Sequence, residues 1–208
     1  LAGVDYSWNK VRKRGGYGFD IIGLYDIDYD ALTIPDLDQY ATEESQKQLG
    51  FYLQDQIRFW DRVSVVLGIR RDRVETAGGS VDKATTLRAG IIGEIGAGFS
   101  PFFSYTESFL PITGARGDGS PFTPQRGKQF EAGVKWQPDN KTLVTLTAFH
   151  IKESGRPIPD PANPTQQIQA GSLTTKGIEF EASRMLPGNF ELMVSYGYNK
   201  LKSNDTPY

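Results

Sequence analysis

Gln48-Leu49-Gly50-Phe51-Tyr52-Leu53-Gln54-Asp55-Gln56-Ile57-Arg58-Phe59-Trp60 is the stretch on which the fold turns. Its odd positions Leu49, Phe51, Leu53, Ile57 and Phe59 are apolar, and their even neighbours Gly50, Tyr52, Gln54, Gln56 and Arg58 are small, amphipathic or polar. Only Asp55 interrupts the alternation. A period of two belongs to a β-strand with two unlike faces, whereas a helix would repeat every 3.6 residues. The same pattern runs outward from there. Val63, Val65, Leu67 and Ile69 oppose Ser64, Gly68, Arg70 and Asp72. Phe130, Ala132, Val134 and Trp136 oppose Gln129, Glu131, Gly133 and Lys135, and Leu192, Val194, Tyr196 and Tyr198 oppose Glu191, Ser195 and Gly197. The chain reads as all-β.

Composition removes several alternatives. The 208 residues carry 23 Lys+Arg against 25 Asp+Glu, one His and no Cys. A formal net charge of -2 gives no electrostatic case for nucleic-acid binding. Without cysteine there is no disulfide scaffold, no thiolate metal site and no thiol catalysis. No run approaches the ~18 consecutive apolar residues of a membrane-spanning helix.

Which medium meets the apolar face is the next question. A soluble sandwich would cover it with a second sheet, and an outer-membrane barrel would give it to lipid. Nine strand candidates, about 1–13, 47–60, 62–74, 84–96, 99–110, 126–137, 142–153, 168–186 and 190–203, are separated by connections that alternate short and long. Trp60-Asp61-Arg62, Gly96-Ala97-Gly98, Pro138-Asp139-Asn140-Lys141 and Pro187-Gly188-Asn189 have tight-turn chemistry. The segments 14–46, 75–83, 111–125 and 154–167 read as long loops. In a meander, alternate connections lie at the same end, so all tight turns fall on one rim and all long loops on the other. That asymmetry, together with strands longer than the usual ~5–6 residues of soluble sheets, predicts an up-and-down transmembrane barrel. Aromatics near strand ends (Phe59, Trp60, Phe99, Trp136, Phe190, Tyr196, Tyr198) suit interfacial girdles. Nine strands are an odd number and leave two open edges, which lipid cannot satisfy. The expectation is a wall section of a larger barrel, and the beginning at Leu1 inside a strand pattern fits an internal fragment.

Specific motifs then point to a family. Gln48 to Gln56 resembles the "tGlYlQDQ" strand of TonB-dependent siderophore receptors, and Leu67-Gly68-Ile69-Arg70-Arg71-Asp72 is similar to their "lGgRyD". Pro101 to Phe109, Pro121 to Trp136, and Gly177-Ile178-Glu179-Phe180-Glu181-Ala182 resemble further family motifs, in the family's order along nearly the whole chain. The pattern is most similar to receptors for ferric hydroxamates such as ferrichrome. The resemblance implies a 22-stranded barrel of the Gram-negative outer membrane, filled by an N-terminal plug. It implies import of ferric siderophores, energised by the TonB–ExbB–ExbD system acting through the plug. On that reading residues 1–208 are part of the barrel domain, and the plug and terminal strands lie outside them. No resident cofactor is implied, since iron travels inside the siderophore. A passive porin is the alternative; it would share the topology without the ordered motifs. No catalytic cluster marks the chain as an enzyme.

Candidate ligand contacts are the loop aromatics Tyr17, Phe19 and Tyr40, with Phe109 and Phe122 about the third long loop. A ferric hydroxamate presents an apolar, nearly neutral surface around a saturated metal, which aromatic rings and a few hydrogen-bond donors suit. Tyr25 and Tyr29 share the first loop. Ring packing of the loops on one another explains any single one equally well. Glu131, Glu179, Glu181, Arg58, Arg70, Arg88 and Lys135 fall on the polar face of the alternation, the expected lumen. Asp26, Asp28, Asp30, Asp36, Asp38, Glu43 and Glu44 do not fit a calcium-loop spacing and read as solvated or lipopolysaccharide-bridging acids. His150 reads as a neutral strand residue, and Arg116-Gly117-Asp118 as a turn.

Overall fold

In the computed structural model, residues 1–19, 25, 29–76 and 79–204 are described. Nine strands form one antiparallel sheet in chain order: β1 (Ala2–Lys13), β2 (Thr42–Phe59), β3 (Val63–Thr76), β4 (Val81–Gly93), β5 (Phe99–Leu110), β6 (Gln125–Asp139), β7 (Thr142–Pro159), β8 (Gln167–Leu186) and β9 (Phe190–Asn204). Each strand pairs only with its neighbours in sequence, and among the described residues no second layer covers either face.

Register assigns the faces. Leu53 sits opposite Ala2 and Ile69, Ile69 opposite Leu87, and Ile91 opposite Phe103. Phe103 then faces Ala132, Ala132 faces Ala148, and Ala148 faces Ile178, which faces Tyr198. One continuous apolar face results, and it is the open one: Phe51 is 53% and Leu53 58% exposed, whereas Asp72 on the polar face is 3% exposed. A soluble sheet has the opposite preference. Among the described residues the hydrophobic side chains that are buried are Val74, Ala84, Phe122 and Ile158. The accessible surface is 15120 Å², against about 9,700 Å² for a compact monomer of 23.1 kDa. Each large apolar side chain left in water forgoes ~1.5–3 kcal/mol, so a face of this composition requires an apolar medium.

The tight turns close as their chemistry requires. Trp60 and Asp61 have φ of 48° and 56°, and the Arg62 N–H donates to the Phe59 carbonyl at 3.0 Å, the mirror-image turn that suits strand twist. Gly96, Ala97, Gly98, Gly188 and Asn189 also have positive φ. Phe59 beside Trp60 and Phe99 stacked on Trp136 (5.8 Å) gather at this rim.

The opposite rim departs from expectation. The connection expected over 75–83 shrinks to 77–80, shorter than 94–98 on the tight-turn rim, so the alternation of short and long fails there. The reason is that β3 and β4 stay paired as far as Glu75–Val81, and the Thr76 N–H donates to the Ser80 carbonyl at 3.0 Å. β2 begins at Thr42 and β7 continues to Pro159, each beyond its expected limit, because their ladders with β1 and β8 persist. The β7–β8 connection is accordingly 160–166. Segments 14–41 and 111–124 remain long.

Candidate functional site

The long-loop rim carries the built features. The two ends of segment 14–41 are tied together just above β1 and β2. Arg14 grips Asp38 with two bonds of 2.5 Å, the Tyr40 N–H donates to the Gly15 carbonyl at 2.8 Å, and the Tyr17 N–H donates to Gln39 Oε1 at 3.2 Å. These ties stack Tyr17 on Tyr40, with ring centroids 5.2 Å apart and planes 10° from parallel. Phe19 meets Tyr17 edge-on at 5.9 Å. A hydrogen bond with Tyr17 holds the Tyr40 phenol above its ordinary value of 10.0. All three rings are exposed, Phe19 at 92%. They form an open aromatic shelf on a pinned base.

Of the five candidate contacts, the structure brings Tyr17, Phe19 and Tyr40 together. Phe109 lies in β5 opposite Arg126, on the same face as Phe103 and Tyr105, away from the shelf. Phe122 is buried against Gly114 inside segment 111–124, where it packs that loop. Tyr25 and Tyr29 are exposed. Asp26 and Asp28 lie outside the described residues. The other loop acids are engaged: Asp38 by Arg14 and Arg12, Glu43 by Lys10, Glu44 by Lys13, and Asp36 by the Asp38 N–H.

Segment 111–124 leans across the β3–β4 hairpin, and Thr113 Oγ1 donates to Glu44 at 3.4 Å. A groove of about 530 Å³ opens beneath it, lined by Glu44, Ser45, Thr76, Ser80, Thr113 and Gly114. Arg116-Gly117-Asp118 is a turn. Gly119 N–H donates to the Arg116 carbonyl at 2.9 Å, and Asp118 accepts from the Ser120 N–H and hydroxyl at 2.9 and 2.6 Å. Those bonds hold the Asp118 carboxyl below its ordinary 3.8.

The polar face holds a second constellation. Arg70 of β3 crosses β2 to reach Asp5 of β1 at 2.6 Å and also binds Asp72 at 2.7 Å, while Gln48 donates to Asp72 at 2.9 Å. Gly50 lies beneath, because any side chain there would overlap the guanidinium and Asp72. Nothing in the local pattern announces this three-strand tie; only the register brings residues 65 apart together. Register places Arg58, Arg88, Glu131, Lys135, Glu179 and Glu181 on this same face. His150 lies on the apolar face opposite Phe130. Near its middle the β4–β5 ladder stops at Arg88–Thr106, and Glu107 accepts the Leu87 N–H at 3.2 Å in place of a strand partner.

Known proteins share this frame. The chain is 31% identical over 228 residues to the ferrichrome outer membrane transporter/phage receptor of Escherichia coli K12, with 100% of this chain and 30% of that protein covered. It is 31% identical over 218 residues to the ferrioxamine B receptor of Salmonella typhimurium LT2, covering 97% and 30%. The chain thus spans about a third of these relatives. Among solved structures, the pyoverdine outer membrane receptor FpvA of Pseudomonas aeruginosa PAO1 superposes with a TM-score of 0.79 at 20% identity, over 99% of this chain and 33% of that one. That likeness is one of fold: the open sheet follows a stretch of an outer-membrane barrel wall. Residues 2–208 match the family described as TonB dependent receptor-like, beta-barrel. The passive-channel alternative therefore falls away, and the exposed apolar face acquires its solvent. The chain belongs to the TonB-dependent receptor family, as part of its outer-membrane β-barrel.

Proposed function

We propose that the whole protein imports ferric siderophores of the hydroxamate type, and that residues 1–208 supply part of its barrel domain and outer loops. The observation that carries this reading is the exposed shelf of Tyr17, Phe19 and Tyr40 on a rim whose relatives are named for ferrichrome and ferrioxamine B. The shelf offers flat apolar rings beside hydrogen-bonding phenols, which suits an organic shell around iron whose coordination is already complete. Iron is cargo on this reading and needs no protein ligand. Energy comes from TonB–ExbB–ExbD through a plug elsewhere in the protein, and lipid and lipopolysaccharide meet the outer face. Phe122 supports the rim by packing against Gly114 inside segment 111–124.

The test is uptake of radioactive iron as ferrichrome and as ferrioxamine B by cells expressing the complete receptor. Uptake should require TonB, and joint substitution of Tyr17→Ala and Tyr40→Ala should weaken siderophore affinity about tenfold, from two stacking rings at ~0.5–1.5 kcal/mol each. Uptake that persists without TonB, or affinity indifferent to both rings, would refute the proposal.

A further inference from the structure

Strands β4 and β5 part partway up the wall. Their ladder has five register pairs, from Ile92–Phe102 to Arg88–Thr106. By contrast β5 and β6 stay joined over twelve, from Phe99–Trp136 to Leu110–Gln125, and β3 and β4 stay joined as far as Glu75–Val81. Val81 to Leu87 therefore pair on one side only, with β3, and Glu107 to Leu110 on one side only, with β6. Among the described residues no other backbone bonds to the two facing edges.

A side chain occupies the point of parting. If the ladder continued in register, Leu87 would face Glu107 and its N–H would donate to the Glu107 carbonyl. It donates instead to Glu107 Oε2 at 3.2 Å. The carboxylate is fixed there from the outer face. The Tyr105 hydroxyl donates to Oε1 at 2.6 Å, and Lys128 Nζ stands 3.5 Å from the same oxygen. A side chain that takes a main-chain donor competes with the ladder that would use it. Glu107 shares the lipid-facing side of β5 with Phe103 and Phe109, where a carboxylate is costly and calls for a role.

Height gives the parting its meaning. Arg88 is five residues from the tight-turn end of β4 at Gly93. Five residues rise ~17 Å along a strand, or ~13 Å along the membrane normal at a tilt of ~40°, about half of the ~25 Å apolar band. The unpaired edges thus flank the outer half of that band, where lipid offers neither donor nor acceptor. Main-chain groups of an antiparallel strand point to alternate sides. The Leu87 N–H points toward β5, so those of Thr85 and Lys83 do as well, while those of Asp82 and Ala84 point toward β3.

We propose that Glu107 is a wedge built into the barrel wall. It holds β4 and β5 apart over the outer half of the membrane and leaves a lateral seam, hinged at Arg88–Thr106, through which the mouth of the barrel changes width. The freed main-chain groups of Lys83 and Thr85 take water from the lumen side. The inference concerns the wall alone and is independent of the transported cargo.

The test is residue-resolved amide exchange on the complete receptor in detergent, corrected for intrinsic rates. Lys83 and Thr85 should exchange at least about tenfold faster than Asp82 and Ala84 on the same strand. Glu107→Leu releases the Leu87 N–H to the ladder and should slow Lys83 and Thr85 to the pace of those neighbours. Equal protection of all four amides in the unmodified receptor, or unslowed exchange in a heat-modifiable Leu variant, would overturn the proposal. Spin labels at Thr85→Cys and Phe109→Cys give a second reading that leaves Glu107 in place. Their separations should be longer and more broadly distributed than those between Ile91→Cys and Phe103→Cys, partners within the paired half. A single short separation matching that pair would equally overturn the wedge.

Discussion

Asp72 is held by its surroundings more than its sequence neighbours suggest. It is buried on the polar face and accepts bonds from Arg70 and Gln48. Asp72→Ala would strand the Gln48 amide and half of the Arg70 guanidinium, costing about 1–3 kcal/mol. We expect the complete barrel to lose its heat-resistant gel mobility at a lower temperature, while an unchanged midpoint would show the tie to be idle. Asp118 tests the rim in another way. Its carboxyl is held below 3.8 by Ser120, so the ionised form stabilises segment 111–124. That contribution is complete above pH ~4 and is lost as pH falls through the lowered value. Amide exchange at Ser120, corrected for its intrinsic rate, should keep constant protection from pH ~8 to ~5 and lose it below ~4; Asp118→Asn should abolish the step. Residue-level chemistry of this kind was only partly legible in sequence. Alternation put Arg70 on the polar face, but its bond to Asp5 depends on the register of three strands.

Strands were the most legible elements. Two unlike faces repeat through Phe51, Ile69, Phe130 and Tyr198, and a period of two survives without any knowledge of partners. On the long-loop rim the ends of β1, β5, β6, β8 and β9 were legible to within a residue, but those of β2, β3, β4 and β7 were not. Beyond the apolar band both faces are polar, so alternation vanishes while the ladder continues, as at Glu75–Val81 and from Thr42 to Gln46. The shortened β4–β5 ladder left no trace in the pattern either. Tight turns were legible from composition, with one exception in kind. Trp60-Asp61 lacks glycine, yet both residues take positive φ. Each pays roughly 1 kcal/mol for that conformation. Asp61→Gly should therefore raise the unfolding midpoint of the barrel, and Asp61→Val should lower it; the reverse order would contradict the turn assignment.

At the scale of the whole molecule, one reversal explains the rest: the polar face is the crowded one and the apolar face the open one. Arg70 can cross to Asp5 because Gly50 leaves room for its guanidinium, and Leu53 can stand 58% exposed because its solvent is lipid. The aromatic shelf is the part of the site that sequence partly anticipated. Tyr17, Phe19 and Tyr40 were singled out by loop composition, but their convergence depends on the Arg14–Asp38 clasp. Phe122 shares that composition and is buried instead. The most direct measurement is a spin-label scan of β2 in the complete receptor in its membrane, made convenient by the absence of cysteine from these 208 residues. Labels at Phe51→Cys and Leu53→Cys should relax with oxygen dissolved in lipid, and labels at Tyr52→Cys and Gln54→Cys with a water-soluble nickel chelate. Oxygen and nickel responses without a period of two, or with the two sets exchanged, would contradict the lipid-facing barrel wall.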